Sequence, residues 1–289
     1  MVEFAINTVG QENAIHPSEF GKWAEESGFS ALYYGEHTHF PVASKIPKEI
    51  FPDGMPHWYK EFYDPFISLT TAGAVTSSLK LGLAVCLLAQ HHPIELAKRL
   101  ATLDRITGGR VLFGIGGGWN RQEMADFGVK FGFHWGVIRE KVEAMRELWT
   151  SDEAEYHGKH VNFDPAWCWP KPIQAKGPPV IMGAGGPATA RRIARYCDGW
   201  MPLDGAHDLE VLLKQIRLEM GKVGRSMDEL DLTVISGYAA PVAEKRLQEL
   251  FNLGFERVCF YVPPSPPAEQ WRLLEEKENV VQRFLSAGG

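Results

Sequence analysis

The run Ala31-Leu32-Tyr33-Tyr34-Gly35-Glu36-His37-Thr38-His39 sets a carboxylate and two imidazoles directly after a short apolar, aromatic stretch. Imidazole is the side chain whose ordinary pKa lets it give or take a proton near neutrality. Glu36, His37 and His39 could ligate a metal, move a proton, or simply fill a hydrogen-bonded loop. A metal centre needs further His or carboxylate ligands from elsewhere in the chain. Here the later strand ends offer Asp204 and Tyr261, and His91-His92 are neighbours that an extended backbone points in opposite directions. A metal-dependent hydrolase therefore lacks its remaining ligands, and His91 and His92 read as ordinary loop residues. An imidazole acting as acid or base beside a cofactor fits the pattern better.

Two glycine-rich runs add to this, Gly116-Gly117-Gly118-Trp119-Asn120 and Gly183-Ala184-Gly185-Gly186-Pro187. Glycine lets backbone approach a ligand closely, and a helix starting just beyond offers unpaired N–H groups to an anion. The second run leads into a helical pattern carrying Arg191 and Arg192, which reads as a phosphate cradle.

These residues need elements to position them. Strand-like runs fall near Glu3–Val9, Ala31–Gly35, Leu81–Leu87, Val111–Ile115, Pro179–Met182, Gly199–Leu203, Asp231–Ser236 and Arg257–Val262. Helical patterns alternate with them near Ser18–Ser27, Pro65–Ser77, Pro93–Ile106, Ile138–Trp149, Pro187–Tyr196, Asp208–Val223, Ala243–Asn252 and Pro267–Leu285. Eight strand–helix units without adjacent hairpins predict a parallel sheet, and in a chain of this length a closed (β/α)8 TIM barrel. A doubly wound open sheet is the alternative. No low-complexity segment marks a boundary, so residues 1–289 read as a single domain with lid-like insertions. In a barrel the C-terminal strand ends form the active face, and Glu36–His39 and both glycine runs fall there. Two long connections, Thr38 to Tyr63 and Ser151 to Pro178, are rich in proline and aromatics. Loops of that length tend to be lids or binding loops.

Composition closes off other classes. The 289 residues are 45% hydrophobic and 23% charged, which is ordinary for a soluble globular protein. A formal net charge of −6 argues against a nucleic-acid partner. The run Leu81 to Ala89 is too short to span a bilayer, and the start lacks a signal-peptide pattern, so the expected setting is cytoplasmic. Four cysteines, Cys86, Cys168, Cys197 and Cys259, form no CxxC pair and no disulfide framework.

The segments Gly35–His39, Leu81–Leu87, Pro93–Lys98, Leu103–Asn120, Arg139–Trp149 and Gly183–Pro187 with Cys197–Trp200 together resemble the luciferase-like oxidoreductase family. Within it they resemble the branch that uses the deazaflavin coenzyme F420. The resemblance implies a (β/α)8 barrel with the cofactor ring in its mouth and the phosphate-bearing tail running outward. It implies an oxidoreductase moving a hydride between deazaflavin and a small organic substrate. Glu36 and His37 would be the catalytic pair beside the ring, with His37 as proton donor or acceptor. Ala84, Val85 and Cys86 would back the ring, with a non-prolyl cis peptide at Ala84-Val85. Gly116, Gly117, Gly118 and Asn120, with Gly183, Ala184, Gly185, Gly186 and Pro187, would hold the ribityl and phosphate parts. An FMN-dependent monooxygenase on the same barrel is the alternative. Family members usually dimerise, so the resemblance also implies a homodimer.

Overall fold

The computed structural model describes residues 2–45, 54–237 and 241–287; Phe51 in the first long connection and Tyr238 after the seventh expected strand lie outside them. Eight parallel strands close a barrel. They are β1 (Glu3–Thr8), β2 (Ala31–Tyr34), β3 (Lys80–Leu83), β4 (Val111–Ile115), β7 (Val180–Met182), β8 (Gly199–Trp200), β9 (Asp231–Ser236) and β10 (Arg257–Tyr261). The neighbour order β1-β10-β9-β8-β7-β4-β3-β2 is that of sequential strands wrapping once around. The helices are α1 (Pro17–Glu26), α2 (Pro65–Gly73), α3 (Pro93–Ile106), α4 (Arg121–Asp126), α5 (His134–Thr150), α6 (Thr189–Tyr196), α7 (Leu209–Lys222), α8 (Glu244–Asn252) and α9 (Pro267–Ser286). The expected (β/α)8 barrel is thus the observed one. No helix among the described residues is long and apolar enough to cross a membrane.

Each strand is buried on both faces, which explains its continuous rather than alternating apolar sequence. Ala5, Ala31, Tyr33, Leu112, Ile181, Met201, Ile235 and Cys259 fill the barrel interior. Alternate positions such as Phe4, Ile6, Leu32, Phe113 and Phe260 pack outward with the surrounding helices. Low in the interior, Arg257 is 3% exposed and donates to Asp231 (2.9 Å), Thr233 (2.8 Å) and Glu3 (2.8 Å). Burying that charge is tolerable because its donors are paired. Small residues set the spacing. A Cβ at Gly82 would lie 2.2 Å from the Tyr33 ring, so glycine there makes room for the tyrosine.

Three elements differ from expectation. The second long connection holds an antiparallel hairpin, β5 (Glu153–His157) with β6 (Asn162–Trp167). Its second strand is exposed at nearly every position and includes Pro165, so it carries none of the apolar run that marks a barrel strand. The third strand stops at Leu83 instead of running to Leu87; the Ala84-Val85 peptide that follows is cis, and Cys86 pairs with Ile115 as an isolated bridge. The sixth expected strand shortens likewise to Gly199–Trp200, with Leu203 bridging Ile235 alone.

Close packing at the strand ends gives a testable contrast. A Cβ at Gly114 would stand 1.9 Å from the Leu83 carbonyl oxygen, whereas one at Gly221 in α7 meets nothing within 4 Å. Gly114→Ala should destabilise by about 2–4 kcal/mol through backbone displacement. Gly221→Ala should stabilise by up to about 1 kcal/mol. Urea unfolding of the two variants beside the wild type measures both.

Candidate active site

A cavity of about 400 Å3 opens at the C-terminal ends of the barrel strands. Position on the strands decides what faces it. Asn7 is the penultimate residue of β1, Gly35, Glu36 and His37 follow β2, and Ala84 and Val85 follow β3. Gly116 to Trp119 follow β4, and Gly183 to Gly185 follow β7. Trp58, Tyr59 and Phe62, from the far end of the first long connection, close one side. That connection therefore contributes an aromatic wall, as its composition had indicated.

His37 is held at both ring nitrogens. Its Nδ1 lies 2.9 Å from Glu123 Oε2 and 3.1 Å from Oε1, and the Glu123 side chain is 1% exposed. Its Nε2 lies 2.9 Å from the Tyr59 hydroxyl, which also accepts from Trp119 Nε1 at 3.0 Å. An indole N–H only donates and an ionised carboxylate only accepts. The carboxylate draws an imidazole proton onto Nδ1, and Nε2 makes its own hydrogen bond with the Tyr59 hydroxyl. Glu123 owes its place to Asn120. The Asn120 carboxamide oxygen caps α4 by accepting from Gln122 N (3.1 Å) and Glu123 N (3.2 Å), while its amide donates to Ser44 Oγ. A side-chain cap of this kind is a strong helix-start device.

Glu36 faces away from His37, as successive side chains of an extended segment do. Its carboxylate accepts from Leu87 N at 2.6 Å and pairs with His91 Nε2 at 2.8 Å. Burial pushes the carboxyl up, but the bond and charge of His91 and the Leu87 N–H outweigh it, holding the group below its ordinary value of 4.5. His91 is accordingly not the idle loop residue expected of it. Glu36, Cys86 and His91 are the one group among the described residues whose ligating atoms come within metal-binding reach of each other. His37 and His39 do not share a centre. His39 Nε2 pairs with Asp126, so each has its own carboxylate on or beside α4. His92 only precedes α3.

The glycines turn out to serve side chains as well as backbone. A Cβ at Gly116 or at Gly183 would stand 2.3 Å from a methyl of Val85, so the valine is clamped between these two strand ends. One at Gly117 would stand 2.6 Å from Trp135, and one at Gly185 would stand 1.8 Å from His207. Trp135 stacks against the Arg192 guanidinium, 4.0 Å from the ring centroid. Beside it, burial and the Arg192 charge hold His134 below its ordinary value.

Of the residues singled out in the sequence, Glu36, His37, Ala84, Val85, Gly116, Gly117, Gly118, Gly183, Ala184 and Gly185 line the cavity. Cys86, Asn120, Gly186 and Pro187 do not. Cys86 is sealed beneath the floor, Asn120 is occupied as the α4 cap, and Pro187 is exposed. The helix expected to start at Pro187 starts at Thr189, because Gly186 and Pro187 are spent on the preceding turn. Glu123, Tyr59, Trp135 and His207 were not anticipated. Tyr59 falls in the aromatic-rich first connection and Glu123 just beyond the first glycine run, but neither signal aimed the side chain at His37. The cavity also contains an unpaired acceptor. Asn7 is 5% exposed, and its Oδ1 finds no donor among the described residues.

Residues 7–285 match the family described as luciferase-like monooxygenase. An uncharacterised protein of Mycobacterium tuberculosis is 39% identical over 254 residues, which is 87% of this chain and 89% of that one. The F420-dependent glucose-6-phosphate dehydrogenase of Nakamurella multipartita is 29% identical over 222 residues, covering 72% of this chain and 58% of the dehydrogenase. Among solved structures, a monooxygenase from Streptomyces bottropensis superposes with a TM-score of 0.80 at 20% identity, covering 98% of this chain and all of that one. That likeness is one of fold.

The Glu36 bonds predict a pH signature. The folded carboxyl sits below its ordinary 4.5, so its stabilising contribution is whole above that value and is lost as pH falls through the lowered pKa. Glu36→Gln should be less stable than wild type by about 1.5–3 kcal/mol near neutrality. The gap should close on acidification below 4.5. Denaturant unfolding at pH 7 and at successively lower pH reads this directly, and a gap that persists unchanged would count against the assigned bonds.

Proposed function

The chain belongs to the luciferase-like monooxygenase family, and from that premise we propose that it is a coenzyme F420-dependent oxidoreductase acting on a small organic substrate. The observation that carries this reading is His37, fixed at the cavity by the buried Glu123 carboxylate. A cofactor that transfers hydride needs a partner that supplies or removes the accompanying proton, and a tautomer-locked imidazole suits that task. The F420-dependent dehydrogenase among the relatives supports the choice of cofactor.

The residues present fit a flat, phosphorylated tricycle. Trp58, Tyr59 and Phe62 give the cavity lining an aromatic part, and glycine backbone and Val85 give it a part free of bulky polar groups. The unpaired Asn7 Oδ1 is an acceptor that a ring N–H would satisfy. Gly183 to Gly185, with Arg192 on Trp135 nearby, would hold the anionic tail. Bound there, the deazaflavin supplies hydride transfer at its ring carbon.

The rest falls to this chain's own atoms. Glu123 keeps the proton on His37 Nδ1 and stabilises the imidazolium when Nε2 is also protonated. The Nε2 proton reaches the reacting molecule through the Tyr59 hydroxyl, which lines the same cavity. Tyr59 gives its own proton to the substrate as it receives one from Nε2, and the reverse happens in oxidation. Glu36 is a positioning residue that pins the chain after β3 through Leu87 and His91. A homodimer and a cytoplasmic setting belong to the same proposal.

Titrating the purified protein with coenzyme F420 and with FMN tests the cofactor. Tighter binding of F420 is expected, and selective FMN binding would favour an oxygen-using enzyme instead. His37→Ala should lower single-turnover hydride transfer by about 10²–10⁴-fold while leaving F420 affinity within a few-fold. Glu123→Gln should lower it by roughly 10–10³-fold with the same retention of binding, since the imidazole loses its fixed tautomer. Hydride transfer undiminished in His37→Ala would sink the proton role.

A further inference from the structure

A second cavity, of about 640 Å3, lies between the start of α3, the Phe127–Phe133 connection and the tip of the β5–β6 hairpin. His91 stands between it and the barrel mouth: the residue lines this cavity, while its Nε2 holds Glu36, which lines the other. Nothing in the proposed redox chemistry uses this space.

Its lining is one-sided in charge. The charged side chains that border it, Lys130 and Lys141, are both cationic, and no carboxylate does so among the described residues. The start of α3 adds to the same sign. Its N-cap His92 makes no side-chain cap and Pro93 follows, so first-turn N–H groups of a 14-residue helix reach this region without a side-chain cap, Glu95 being the acidic residue of that turn. The Lys141 ammonium donates to the carbonyls of Ala89 (2.7 Å) and His91 (2.6 Å), which anchors its charge beneath the cavity. Apolar surface is also left open. Phe127 and Phe133 are 41% and 62% exposed. At the floor, Gln90 is 8% exposed and its Oε1 has no donor among the described residues.

We infer that this second cavity binds a small organic anion, a carboxylate or phosphate ester carried on an aromatic or apolar body that also bears a hydrogen-bond donor. The acid group answers the positive charge of Lys130 and Lys141 and the uncapped first-turn N–H groups of α3, which an uncharged ligand would not. The body covers phenylalanine rings otherwise left in water. The donor answers Gln90, whose buried acceptor is a standing penalty. The volume suits a ligand of that size.

The probe is 3-phenyllactate, which joins a carboxylate, a hydroxyl and a phenyl ring, with 3-phenylpropanol as the uncharged control. Calorimetric titration of the full chain should give a Kd of roughly millimolar for phenyllactate, as expected of a fragment, and at least about ten-fold weaker binding of the alcohol. Lys130→Glu reverses one exposed charge and should weaken phenyllactate at least about five-fold. Val137→Trp, filling the cavity from α5 at a residue that does not line the barrel mouth, should abolish binding. A cooperative thermal melt checks that each variant is folded. No heat in wild type up to about 10 mM overturns the inference. So does equal binding of the alcohol, or affinity that survives both variants, which would mean that phenyllactate sits in the barrel mouth.

Discussion

The bond between His37 Nδ1 and the Glu123 carboxylate is the constraint around which the barrel mouth is arranged. It ties the end of β2 to a six-residue helix that follows β4, two elements with a whole strand between them in the barrel wall. A helix this short has little intrinsic stability, since nucleation is unfavourable and few bonds follow. It persists because Asn120 caps its start and because Glu123 is buried against an imidazole that needs a partner. Remove either and the other loses its reason to be ordered. The same bond propagates outward, because fixing the Nδ1 proton leaves Nε2 free to hold Tyr59, and Tyr59 in turn receives Trp119. Three side chains, His37, Tyr59 and Trp119, thus depend on one carboxylate.

Val85 plays the corresponding part for the glycine-rich strand ends. Its two methyls fill the space that a Cβ would occupy at Gly116 and at Gly183. The two glycine-rich strand ends therefore meet around one valine, and their backbone is brought to the cavity surface as a consequence. Glycine is required there first for packing, and its use in approaching a ligand follows from that packing. Gly117 with Trp135 and Gly185 with His207 repeat the device farther out. Close approach of side chains and close approach of a cofactor tail are thus two uses of the same missing methyl.

The barrel was legible because its strands are buried on both faces and its helices carry start signals such as Pro93, so Pro93–Ile106, Val111–Ile115 and Asp231–Ser236 were read to the residue. The hairpin at 153–167 was not, since exposed strands leave no apolar signature. In the site, His37 was legible from its place after an apolar strand, whereas Glu123 was not. Nothing in a lone glutamate on a short polar helix says which of several histidines it will meet. Tyr59 was hidden for a related reason: the connection Thr38 to Tyr63 holds many aromatics, and only tertiary structure selects the one that touches Nε2. His91 was misjudged because adjacency with His92 argued, correctly, that the two diverge. It did not follow that neither had a partner.

That divergence recurs at Glu36 and His37 and separates their roles. Neighbours in an extended segment point to opposite sides, so a carboxylate beside a histidine in sequence is poorly placed to serve it. Glu36 turns to His91 and the Leu87 N–H, and His37 turns to Glu123. Two carboxylate–imidazole pairs result, of opposite polarity in the chain, one buried behind the strand end and one at the cavity. In the first the imidazole steadies a carboxylate already bonded to backbone, a structural arrangement that pins the chain leaving β3. In the second the carboxylate steadies an imidazole whose other nitrogen meets a hydroxyl, an arrangement able to carry a proton. Adjacent residues of the motif thus divide support from chemistry, and the boundary between the two cavities runs through the first of these pairs.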